Sequence, residues 1–190
     1  MTKRVGILGG TFDPPHFGHL IIANEVLQQL NLDEIQFLPN YKPPHKLKAS
    51  STTAEQRVEM LKIAIKNNQS FSIETIEIER KGTSYTFDTM SELKRRNPEV
   101  DYYFIIGADM VESLSKWYKI DDLSQMVQFV GVSRPGYLLK SEYPIITIEV
   151  PLIEISSSSI RNKCEDGKSV QYFLPDKVIR YMKENHLYGL

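Results

Sequence analysis

At 190 residues the chain is long enough for one full hydrophobic core and short for two. Hydrophobic residues make up 41% and charged residues 25%, an ordinary globular balance, and a net charge of −1 provides no general basic excess for a nucleic-acid partner. The single cysteine, Cys164, excludes an internal disulfide or a thiolate metal cluster, and no apolar run approaches the ~20 residues that span a membrane. Met1-Thr2-Lys3-Arg4 is followed by only four mostly apolar residues, too few for a secretory signal, so a cytoplasmic protein is expected.

Val5–Leu8 is a continuous apolar run, the pattern of a strand buried on both faces. Gly9-Gly10-Thr11-Phe12-Asp13-Pro14-Pro15-His16-Phe17-Gly18-His19 follows it. Leu20, Ala23, Val26 with Leu27, and Leu30 then recur at helical spacing. Ile35–Leu38 is a second short strand, closed by Pro39-Asn40. Tyr41–Ser50, with two prolines and three lysines, is an exposed loop. Thr52 or Thr53 caps the next helix, with Glu55 or Gln56 at capping-box spacing and Val58, Leu61 and Ala64/Ile65 as its apolar stripe.

Ser72–Arg80 alternates as a strand would, with Ile76 and Ile78 on one face and Glu77 and Glu79 on the other. A turn at Lys81–Tyr85 leads to a helix over Thr86–Asn97, stopped by Pro98. Asp101–Ile106, Val127–Val132 and Ile145–Val150 read as three more strands, the first ending in Gly107. Ser156–Ser159 open a short helical segment carrying Arg161, and Pro175 opens a last helix to about Asn185. Strand–helix alternation of this length predicts an α/β chain: a Rossmann-like, doubly wound, mostly parallel sheet with helices on both faces. It forms a single domain over residues 1–190.

Ligands of such sheets bind beyond the carboxyl ends of the strands, so the residues after each strand are the candidates. Gly9-Gly10-Thr11 lets backbone approach a phosphate, and the helix start behind it favours an anion, with His16 and His19 on one helical face. Lys42, His45 and Lys46 follow the second strand, Gly107-Ala108-Asp109 the next long one, and Arg134 the strand after it. Ser156–Ser159 with Arg161 form a second anion cradle, so the segment from about 155 carries a second phosphate-binding motif. Taken singly, each has an ordinary reading: a turn, a cap, a solvated lysine, a core tryptophan at Trp117. Taken together they point to a ligand with several phosphates.

No Gly-x-Gly-x-x-Gly, Walker loop, zinc-helix spacing or Ser/His/Asp arrangement is present. What remains is chemistry that needs positioning and charge stabilisation: phosphoryl or nucleotidyl transfer.

Gly9–Pro14 followed by His16-Phe17-Gly18-His19 resembles the signature of the nucleotidyltransferase superfamily with the His-x-Gly-His motif. Ile155-Ser156-Ser157-Ser158-Ser159-Ile160-Arg161 resembles that superfamily's second signature. Pro39–Lys46, Gly107-Ala108-Asp109 and Trp117-Tyr118 are similar to the bacterial nicotinate-nucleotide adenylyltransferases. The resemblance implies that ATP and nicotinate mononucleotide give deamido-NAD and pyrophosphate by direct in-line attack, in NAD biosynthesis, with Mg²⁺ accompanying ATP. It implies that His16, His19 and Arg161 are catalytic, and that Gly9, Gly10, Thr11, Phe12, Gly107, Ser157 and Ser158 join them in holding ATP. Lys42, Lys46, Thr86, Asp109, Trp117, Tyr118 and Arg134 fall to the mononucleotide, its ring on Trp117 and its carboxylate at the backbone of Thr86 and Tyr118. No protein metal ligand is implied, and a homodimer is the family's common assembly. Another small nucleotidyltransferase would share the phosphate cradle but not these acceptor-side residues, and a nucleotide-sensing module would not need both histidines.

Overall fold

The computed structural model describes residues 2–42, 52–133, 136, 139–151 and 153–190. Among the described residues, six strands form one all-parallel sheet: β1 (Lys3–Gly10), β2 (Glu34–Pro39), β3 (Phe71–Ile73), β4 (Val100–Gly107), β5 (Gln128–Ser133) and β6 (Ile145–Glu149), in the spatial order 3-2-1-4-5-6. The chain winds outward from β1 through β2 to β3, returns to the middle at β4, and winds the other way to β6. β1 and β4 therefore lie side by side at the reversal, with Val5 opposite Tyr102 and Leu8 opposite Ile105. Their carboxyl ends border the crevice where ligands of such sheets bind.

The central strands alternate between two cores. Val5 and Ile7 of β1, with Tyr102, Phe104 and Ile106 of β4, face one side, where α4 (Thr86–Arg96), α5 (Ala108–Glu112) and α6 (Ile120–Met126) contribute Met90, Leu93, Val111 and Leu123. Leu8, Tyr103 and Ile105 face the other, against Ala23 and Val26 of α1 (Phe17–Gln29) and Leu61 and Ile65 of α2 (Ala54–Ile65). Burial on both faces is why these strands read as unbroken apolar runs.

A third core lies beyond the sheet. Met60 of α2 meets Ile160 and Cys164 of α7 (Ser157–Glu165), Val178 and Met182 of α8 (Asp176–Glu184), and Leu187 and Tyr188 at the C-terminus. Thr53 is the cap of α2, paired reciprocally with Gln56, and Ser156 is the cap of α7.

The expected strand over Ser72–Arg80 is corrected. Pairing ends at Ile73, and Ile76–Arg80 is a short helix, α3. The Glu74 carboxylate accepts the Ile76 N–H at 2.9 Å, and the Thr75 hydroxyl donates to Glu79 at 2.5 Å, contacts that turn the chain. Ile76 and Glu77, adjacent in sequence, are both buried, which a strand with one solvated face cannot arrange. The inward face of α2 also differs: Arg57, Met60, Leu61 and Ile65 are buried, whereas Val58 is only half-buried.

Candidate active site

β1 delivers the chain to the crevice at Gly9-Gly10. A side chain at Gly10 would lie 2.8 Å from the Phe12 ring, so only glycine lets the loop fold back over it. Phe12 has a left-handed backbone (φ 53°), and its ring packs edge-on against Phe37 and His19, 1% exposed. Any part it takes in binding therefore comes from its backbone.

Residues 11–14 are held from three directions. Arg57 reaches up from α2, its guanidinium donating to the carbonyls of Thr11 (2.7 Å) and Asn40 (2.8 Å), and so ties the end of β1 to the end of β2. Arg161 of α7 donates to the carbonyl of Asp13 at 2.7 Å and to the Ser158 hydroxyl at 3.1 Å. The Ser157 hydroxyl donates to the carbonyl of Pro14 at 2.9 Å. The Asp13 carboxylate accepts hydroxyls from Thr52 and Tyr188. The two motifs, at opposite ends of the sequence, thus form one hydrogen-bonded unit.

His16 caps α1 and His19 occupies its third position. The His16 N–H donates to His19 Nδ1 at 3.2 Å, and the rings stack with centroids 3.7 Å apart. With Nδ1 accepting, a neutral His19 carries its proton on Nε2. Gly18 lets the His16 ring lie close, since a Cβ there would be 3.0 Å from it. His16 is 5% exposed, and burial pushes it down to about 4, so it is a neutral imidazole at pH 7.

Buried polar side-chain atoms without a partner, among the described residues, are His16 Nδ1, Asn40 Oδ1, Arg57 Nε and Ser133 Oγ. All four residues lie at the carboxyl end of the sheet or on the Arg57 clamp. Unsatisfied polar groups gathered at one end of a fold call for a polar ligand or water there.

Beside this loop a cavity of about 640 Å³ opens between β1 and β4. Gly9, Gly10, Thr11 and Asn40 border it on one side, and Gly107, Met110 and Lys116 on the other. Ser84, Tyr85 and Thr86 bring the N-terminus of α4 to it, where the Tyr85 cap makes no side-chain bond to the helix. The first N–H groups of α4 therefore suit an anion. Trp117 lines the cavity while packing edge-on against Phe104 (6.0 Å) and Phe129 (6.3 Å), so it is both core and wall. Tyr118 stands exposed beside Tyr85, their rings 5.1 Å apart. Glu77 also lines the cavity; burial pushes its carboxyl above the usual range, and the Thr89 hydroxyl donates to it at 2.7 Å.

Of the residues expected from sequence, Gly9, Gly10, Thr11, Thr86, Gly107, Trp117 and Tyr118 meet at this cavity. His16, His19, Ser157, Ser158 and Arg161 meet at the clamped loop next to it. Asp109 is exposed in the first turn of α5 and does not line the cavity. Lys42 is exposed, with its carbonyl accepting the Ser84 N–H at 3.0 Å. Lys46, His45 and Arg134 lie outside the described residues.

Sequence reasoning missed Arg57, Asn40, Glu77 and the Asp13–Thr52–Tyr188 cluster. Arg57 had a readable signal, since it falls at helical spacing with Leu61 inside an apolar stripe. Glu77 had none once its segment was taken for a strand.

Residues 7–163 match the cytidylyltransferase-like family. The nicotinate-nucleotide adenylyltransferase of Bacillus subtilis strain 168 is 54% identical over 186 residues, covering 98% of each chain. This chain belongs to the nicotinate-nucleotide adenylyltransferase family. It is accordingly a nucleotidyltransferase, and the fold agrees. The nicotinic acid mononucleotide adenylyltransferase of Plasmodium falciparum, complexed with NaAD, superposes with a TM-score of 0.81 at 20% identity, over 98% of this chain and 97% of that one. The same protein complexed with APC gives 0.80 at 19% identity over the same shares. In this adenylyltransferase a cavity at the crevice between β1 and β4 adjoins the loop that both motifs share.

Proposed function

We propose that the enzyme transfers the adenylyl group of ATP to nicotinate mononucleotide, giving nicotinate adenine dinucleotide (deamido-NAD) and pyrophosphate. The observation that carries this reading is the joining of the two motifs, through Ser157–Pro14 and Arg161–Asp13, next to a cavity with an aromatic wall and a helix N-terminus. In the proposed reaction an oxygen of the mononucleotide 5′-phosphate attacks the α-phosphorus of ATP. A new P–O bond forms as the bond to the β-phosphate oxygen breaks, and pyrophosphate leaves without a covalent intermediate.

The described residues supply donors. His19 offers Nε2–H, His16 acts as a neutral ring, and Gly9-Gly10-Thr11 offers backbone to the triphosphate. Arg161 and Ser158, hydrogen-bonded to each other and to the loop, are proposed to meet the charge on the departing pyrophosphate. No three His, Cys, Asp or Glu side chains are gathered to hold a metal among the described residues. These donors suit phosphate oxygens, and Mg²⁺ is proposed to arrive with ATP, where it would neutralise phosphate charge. Lys42, Lys46 and Arg134 remain proposed phosphate contacts, and Asp109 a proposed ribose contact.

On the acceptor side the pyridine ring would lie against Trp117, its carboxylate at the N–H groups of Thr86 and Tyr118. A nicotinamide would turn an N–H₂ toward a donor and leave one pairing unmade, which is the basis of a preference for nicotinate. The whole chain is proposed to act as one domain in the cytoplasm, as a homodimer that light scattering would reveal. No helix among the described residues is long and apolar enough to cross a membrane.

The test is pyrophosphate release with ATP and each mononucleotide in turn. Faster release with the nicotinate form is expected. Equal rates would end the specificity claim, and no release with either would end the functional one.

A further inference from the structure

We propose that Tyr188, two residues before Leu190, is a positioning residue whose hydroxyl holds the phosphate-binding loop in place through Asp13. The inference rests on the reading of residues 9–19 as the triphosphate site. Tyr188 and Thr52 both donate to the same Asp13 oxygen, at 2.5 and 2.6 Å, across 175 and 39 residues of sequence. Asp13 is 4% exposed and Tyr188 8%. Asp13 lies between Phe12, whose ring supports Gly10, and Pro14, whose carbonyl takes the Ser157 hydroxyl. Its own carbonyl takes Arg161. Moving the Asp13 side chain therefore moves the backbone that both motifs share.

The C-terminus is built for this contact. His186 and Tyr188 have left-handed backbones (φ 51° and 58°), a conformation non-glycine residues keep only when their surroundings impose it. The Tyr188 ring is embedded in the third core with Leu174 and Met182, which delivers its hydroxyl to Asp13 from a rigid base. Burial first, and then the bond to Asp13, push the phenol well above its usual range, so it remains a donor throughout the working pH range.

A purely structural tyrosine and a positioning one differ in what its hydroxyl controls. Tyr188→Phe keeps the ring in the core and removes only the donor. Two measurements follow: steady-state kinetics with ATP and nicotinate mononucleotide, and hydrogen exchange at the amides of Thr11, Phe12, Asp13 and His16 against those of β1. The expected result is a fall in kcat of about tenfold, the size of one lost hydrogen bond to a charged acceptor, with KM for the mononucleotide changed less than twofold. Loop amides should exchange about tenfold faster while β1 amides stay unchanged. Thr52→Val should show the same pattern, and Thr52→Ser should restore it. Parent-like kinetics and parent-like loop exchange in both Tyr188→Phe and Thr52→Val would overturn the inference, as would a rise in KM for the mononucleotide at unchanged kcat. If the parent enzyme releases no pyrophosphate, the functional reading fails, and the exchange measurement still decides the role of Tyr188.

Discussion

His16 and His19 are one turn apart, yet the fold gives them different chemistry. His19 is half-buried and its Nδ1 accepts the His16 N–H, so in a neutral ring the donor is Nε2–H. In the proposed reaction this donor would meet charge only as it develops, so His19→Ala should lower kcat by about a hundredfold with a smaller change in KM for ATP. Steady-state kinetics check this; a raised KM at unchanged kcat would contradict it. His16 is instead held neutral by burial. Its folded pKa of about 4 lies below the ordinary 6.5, so the unfolded chain takes up a proton that the folded one refuses. The stability from that difference is fully present above about pH 6.5 and is lost as pH falls toward 4. Between pH 7.5 and 4.5 the parent should lose about 2–3 kcal/mol more than His16→Asn, read from urea midpoints at each pH.

At the level of elements, the site depends on helices that grip strand ends from below. α2 is the clearest case, because its buried face carries Arg57 between Thr53 and Leu61. One planar guanidinium spans the carbonyls of Thr11 and Asn40, which a lysine ammonium cannot do with the same geometry. Arg57→Met keeps the apolar stem and leaves both carbonyls without this partner. It should cost about 2–3 kcal/mol in urea unfolding, and Arg57→Lys should recover only part of that. A variant as stable as the parent would show that water replaces the clamp without loss. The segment Glu74–Arg80 teaches the opposite lesson. Its alternation of Ile and Glu matches a strand, but local side-chain bonds from Thr75 and Glu74 and the burial of Glu77 turn it into α3.

For the whole molecule, the third core decides whether the two motifs meet. α7, α8 and the C-terminal turn pack on Met60 of α2, not on the sheet, and carry Ser157, Arg161 and Tyr188 to the loop after β1. Leu174 is fully buried there. Leu174→Ala should therefore cost about 3 kcal/mol and lower the melting temperature by about 6–12 °C. Because that core seats Tyr188 and α7, the variant should also lose turnover at temperatures where it is fully folded. Calorimetry and kinetics on one preparation check both parts; a destabilised variant with parent turnover would separate the core from the site.

The order of the strands, most of the helices, and the glycine turn and serine-capped helix start at Gly9–His19 and Ser156–Arg161 were legible in the sequence, whereas α3 was not and Trp117 read as core except through the family resemblance. The legible features rest on local causes: apolar period, glycine turns, capping residues and helix starts. The all-parallel 3-2-1-4-5-6 sheet was legible as a class, while the crevice between β1 and β4 followed only from which strands pair. The neutrality of His16, the burial of Glu77 and the clamp of Arg57 belong to tertiary structure alone. Each depends on which distant groups surround a side chain, and desolvation and hydrogen bonding across 46 to 175 residues leave no trace in local pattern. The sequence by itself determined that a glycine turn and a helix start follow the first strand. Only the folded chain decided what holds that turn still, because its partners come from α2, α7 and the last residues of the chain.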